Sequence, residues 1–224
     1  QGGFSRQAAQ EVAGALLPLL GTLIDKSFLG RASAARFEMH PVLRQCAAEK
    51  LAADPSACAE AQARHAAYYS TWLSLMNEKL KGSAQLLALA ELRAETQNLH
   101  QAWRWCVTQR DLGRLHEMLP AMILFHEMCG RPTAAQEVVR LLVETLGALG
   151  YTPADAVLVP ESLVRSTDAG LLALTLAALR HFDQTLGPWE RTNPYQQQSL
   201  DLAQDLPDTR EKAFTLLLNC IGVG

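Results

Sequence analysis

Apolar residues recur three and four positions apart along most of this chain, the period of a helix with one buried face. Ser5 can cap a helix over Arg6 to Ala13 that stops at Gly14. Pro18 suits the first turn of a second helix, to about Lys26, with Leu19, Leu20, Leu23 and Ile24 on one face. Two short segments follow, Ser27-Phe28-Leu29 and Arg36-Phe37-Glu38-Met39, around Gly30-Arg31-Ala32-Ser33-Ala34-Ala35; they predict a small hairpin. Pro41 then opens a helix to about Ala53, with Leu43, Ala47 and Leu51 spaced for one buried face. No secure strand is predicted after residue 40.

Asp54-Pro55-Ser56 marks the first boundary, and Asp54 or Ser56 can cap a long helix to about Leu80. Its apolar side carries Ala59, Ala63, Ala66, Ala67, Tyr69, Leu73 and Met76. A second stretch, Ser83 to Gln109, has Leu92, Leu99, Trp103 and Cys106 on one face and is expected to bend near Arg93 to Thr96. Asp111 can cap the next helix, where Pro120 removes one backbone bond and predicts a kink. Gly130-Arg131-Pro132 turns the chain into a helix over Thr133 to Leu149. Gly150 to Thr167, with Pro153 and Pro160, reads as loop around an extended Val157-Leu158-Val159. Helices are then expected over Asp168 to Thr185, Asn193 to Leu206, and Pro207 to Ile221. Helices joined by tight Gly/Pro turns are the pattern of stacked helical hairpins, and Gly187-Pro188-Trp189 with Leu200, Ala203 and Pro207 gives a partial tetratricopeptide signature.

Composition agrees with helix. The 224 residues are 49% hydrophobic and only 6% aromatic, so a substantial core is available and disorder is not expected. A net charge of −3 gives no basic footprint for nucleic acid or for an anionic membrane. The most apolar run, Ala15 to Ile24, falls short of the about 20 residues a membrane span needs. Five scattered cysteines without a C-x-x-C pair argue against a disulfide framework or zinc site and for a reducing, cytoplasmic setting. Both ends fall close to helical pattern, as in a piece of a longer chain.

Three blocks then point to a family: Gly2-Gly3-Phe4-Ser5-Arg6-Gln7-Ala8-Ala9, Leu23-Ile24-Asp25-Lys26-Ser27-Phe28-Leu29 and Phe37-Glu38-Met39-His40-Pro41-Val42-Leu43-Arg44-Gln45. They resemble the winged-helix segment of bacterial STAND, or NB-ARC-like, signalling ATPases, including relatives of the antibiotic regulatory proteins. Arg64-His65-Ala66-Ala67-Tyr68-Tyr69 and Leu92 through Trp105 resemble the first superhelical helices that follow. The likeness is close over residues 1 to about 110. It implies an all-α fold with one small hairpin: residues 1–54 as the later part of a winged helix, and 55–224 as a right-handed tetratricopeptide-like superhelix.

The resemblance further implies a non-catalytic sensor and interaction region of a transcriptional regulator. A protein, peptide or small inducer would bind the repeats, and ATP or ADP would bind an upstream domain. It gives His40 the place of a His that reaches the β-phosphate of ADP, often as Met-His-Asp; here Pro41 replaces the Asp. A His at a helix start is well placed to meet an anion. From the residue alone, His40 caps the helix or packs on the hairpin. No G-x-x-x-x-G-K-[ST] phosphate loop occurs in the chain, so no catalytic residue is assigned and no cofactor is expected within it. The competing class is a plain repeat scaffold without a nucleotide switch.

Other chemistry is weaker. His116-Glu117-Met118 and His126-Glu127-Met128 do not extend to H-E-x-x-H, and at about 100° per residue the two His lie roughly 80° apart on a helix. No metal site is assigned. Cys46 and Cys106 read as small core residues. The Ala15 to Lys26 segment, the candidate recognition helix, holds one Lys and one Asp and looks built to pack, so direct nucleic-acid contact is not expected.

Overall fold

In a computed structural model the described residues are 2–33, 35–148, 167–186 and 193–220. They are mostly helical, with one small antiparallel sheet. The chain runs β1 (Phe4–Ser5), α1 (Arg6–Ala13), α2 (Leu17–Asp25), β2 (Gly30–Ser33), β3 (Arg36–Glu38) and α3 (Pro41–Ala52). Helices α4 (Pro55–Leu80), α5 (Gln85–Gln109), α6 (Leu112–Met128) and α7 (Pro132–Ala148) follow, then α8 (Thr167–Leu186), α9 (Asn193–Gln204) and α10 (Arg210–Cys220). Of the predicted loop over 150–167, residues 150–166 lie outside the described residues, as does the Gly187-Pro188-Trp189 turn, while Thr167 opens α8.

The caps explain where the helices start and stop. Ser5 accepts the Ala8 amide at 3.0 Å, and Gly14, at φ 64°, closes α1 in the left-handed conformation that glycine adopts without strain. Asp54 accepts the Ala57 amide at 3.0 Å and Asp111 the Arg114 amide at 3.1 Å, so both expected caps are in place. Helix α5 is continuous, with Thr96 bonded back to the Leu92 and Arg93 carbonyls. Pro120 lies inside α6.

The sheet differs from the expected hairpin. Its order is β1-β3-β2, antiparallel throughout, so Phe4-Ser5 adds a third strand. The β2 strand starts at Gly30 rather than at Ser27, because Leu29 is pulled into the core with Leu20, Ala9, Ala15 and Phe37.

The face of α3 is a second correction. None of its residues is buried, Val42 and Leu51 are exposed, and Cys46 is exposed as well. The helix touches α4, and that neighbour leaves its leucines partly or largely in solvent. In α2, Leu20 is buried but Leu19 is exposed, together with Leu16 and Leu17.

Contacts divide the chain into two compact units, Gln1–Trp105 and Cys106–Gly224, with the division inside α5. In the first, the sheet and its small core share a unit with α4 and most of α5. The second is built on α8, which touches α6, α7, α9 and α10. Every residue from Ala169 to Phe182 is buried. A helix buried on all sides belongs at the centre of its unit.

Candidate functional site

The third strand of the sheet ends at Glu38, and Met39-His40 carries the chain directly into α3. His40 is the N-cap, with extended backbone (φ −54°, ψ 138°), and Pro41 takes the first helical position, where a missing N–H costs nothing. The imidazole Nδ1 accepts the Val42 amide at 3.3 Å. That bond leaves the ring proton on Nε2, which becomes a donor directed away from the cap. Arg44 lies four residues on, hence on the same face, and its amide bonds the His40 carbonyl at 2.9 Å.

Both side chains line an open cleft of about 680 Å³. Its walls are Gly2 and Gly3 just ahead of β1, Ile24 near the end of α2, Ser27 to Gly30 from the connection into β2, Glu38 to Pro41, and Gln97 from α5. Arg44 supplies one positive charge and Glu38 one negative. A second, mainly apolar cavity of about 390 Å³ shares Gly2, Leu29, Met39 and Arg44 with it. It is walled by Leu20, Leu23 and Ala9 and ends at His65, Tyr69, Asn98 and Gln101.

Behind the cleft is a buried polar knot. Glu95 of α5, 5% exposed, accepts from three groups. The Arg36 guanidinium pairs with one oxygen. The other takes the Tyr69 hydroxyl at 2.9 Å and the Asn98 amide at 2.6 Å. Arg36 and Asn98 also donate to the Gly3 carbonyl, at 2.8 and 3.0 Å. A carboxylate with a charge partner and two further donors is what a buried charge requires. Burial and the Glu95 charge hold the Tyr69 hydroxyl above its usual range. His65 stacks on Tyr69 with ring centres 4.6 Å apart, and burial lowers it to about 4 despite a hydrogen bond to Asn98 and the nearby Glu95 charge.

The other sequence candidates are placed elsewhere. His116 pairs with Glu211 at 2.5 Å, and His126 is buried in α6. Among the described residues no three His, Cys, Asp or Glu side chains gather as a metal site. Cys106 is buried, and burial pushes its thiol up to about 11, far from a reactive thiolate. Trp103 is buried, as its place on the α5 face predicted, and Trp105 is half-buried.

The knot is what the sequence pattern did not single out. A signal for it exists. Glu95 follows Leu92 by three and precedes Leu99 by four, so a carboxylate sits on the apolar stripe of α5. A polar residue in such a stripe demands a buried partner. Among the described residues no helix is long and apolar enough to cross a membrane. Comparison with family models, with curated proteins and with solved structures finds no match to the chain.

Proposed function

We propose that this chain is the non-catalytic sensor and interaction region of a STAND-type signalling ATPase that regulates transcription. The observation that carries this is His40, a helix N-cap whose Nδ1 accepts the Val42 amide and which lines a cleft together with Arg44. An imidazole N–H, a guanidinium and a helix start form a set of donors suited to a phosphate. In this reading they meet the β-phosphate of ADP held by an upstream domain and mark the closed state.

Two features support the winged-helix part over residues 1–54. Helices α1 and α2 lie between the first and second strands, and the sheet order β1-β3-β2 puts the last strand in the middle. Both are what a winged helix has. The helices of 55–224 are the tetratricopeptide-like arm, which takes a protein, a peptide or a small inducer. Binding there shifts the population toward an open state only if the ligand favours that state over the closed one.

The test is ADP release from the protein that carries the nucleotide-binding domain. His40→Ala removes a hydrogen bond to a charged group, worth about 1.5–3 kcal/mol, and speeds release about tenfold or more. An unchanged rate sinks the proposal. So does a coding sequence ahead of Gln1 that lacks a phosphate loop; a plain scaffold then remains.

A further inference from the structure

We infer that Glu95 is a positioning residue for the His40 cleft: through Arg36 and Asn98 it fixes the Gly3 carbonyl, and with it the strand that forms one wall. The inference rests on the cleft being the nucleotide-facing site proposed above. Strand β1 is two residues long, pairing only Phe4 with Phe37 and Ser5 with Arg36. So short a ladder holds a strand weakly. What holds Gly3 is the pair of side-chain donors from Arg36 and Asn98, and Glu95 orients both. The approach is also tight, since a Cβ on Gly3 would stand 2.9 Å from the Phe37 carbonyl oxygen.

The consequence is directional. Glu95 and Asn98 belong to α5 and Tyr69 to α4, so the knot joins this helix pair to the cleft wall. A shift of α5 against α4 would move the Glu95 carboxylate, then the donors, then Gly3. A rearrangement of α4 and α5 thereby reaches the neighbourhood of His40 without passing through α3, which has no buried anchor of its own.

The experiment uses this chain in two variants, Glu95→Gln and the double variant Arg36→Met with Glu95→Leu. The single variant strands Arg36 and lowers the melting temperature; the double variant removes both charges but leaves the Tyr69 hydroxyl without its acceptor, and so recovers only part of the loss. Positioning predicts that hydrogen exchange at the amides of residues 3–6 speeds at least tenfold in both variants. It also predicts that the His40 ring resonances shift, while protection in residues 167–186 is unchanged. Wild-type exchange at residues 3–6 in the double variant, or unmoved His40 resonances, overturns the inference. If both variants unfold at 25 °C, the knot serves the fold and not the cleft, and the inference also falls. No nucleotide is present in these measurements. A failure of His40→Ala to change ADP release therefore removes the nucleotide role alone.

Discussion

His65 shows how one side chain ties stability to pH. Burial lowers its folded value to about 4, while an unfolded His sits at 6.5. Between those values the unfolded chain binds more protons than the folded one, so stability rises with pH across that window. It is lost as pH falls from about 6.5 toward 4. The urea midpoint of the unit containing His65 is expected to drop on going from pH 7 to pH 5, and His65→Gln to flatten that slope. An equal slope in the variant would mean that other groups carry it. Gly3 makes a second prediction at this scale. Its missing Cβ lets the N-terminal strand approach the Phe37 carbonyl, so Gly3→Ala forces the two backbones apart. Loss of about 1–3 kcal/mol in urea unfolding is expected, the size of an overpacking defect.

Among elements, the caps and the long helices were legible in the sequence because their determinants are local. Ser5, Asp54 and Asp111 act on amides three residues away, and Gly14 acts through its own φ. Strand β1 was not legible. Two residues carry no period, and their pairing with β3 is a contact across more than thirty positions. The face of α3 was misjudged for a related reason. Leu43, Ala47 and Leu51 have the right spacing, but a buried face needs a surface to bury against, and spacing cannot say whether one exists. This can be measured. Leu51→Ala should change stability by no more than about 0.5 kcal/mol, as at an exposed site. Leu20→Ala, in the core under the sheet, should cost about 2–5 kcal/mol. Equal costs would put α3 back in a core. The site divides in the same way. His40 at its helix start could be found from a short motif, whereas the Arg36–Glu95 pair joins residues 59 apart in sequence.

For the molecule as a whole, two compact units predict unfolding that is not a single two-state transition. The second unit offers a way to separate them. Arg180 in α8 is 1% exposed, and its guanidinium donates to the Leu218 and Asn219 carbonyls, at 3.2 and 3.1 Å, near the end of α10. Helix ends leave carbonyls without intrahelical donors, and a cation there also meets the negative end of the helix dipole. Asn219 donates to Ser199, and Ser199 to the Ala173 carbonyl, at 2.9 and 2.8 Å, so α8, α9 and α10 share one polar chain inside an apolar unit. Arg180→Met keeps most of the volume and removes both carbonyl partners, which costs about 1.5–3 kcal/mol for bonds made by a charged group. The loss belongs to Cys106–Gly224. Amides of α8 and α10 are expected to exchange faster in proportion, while those of α1 and α4 keep wild-type protection. A uniform loss of protection along the chain would show that the two units unfold together.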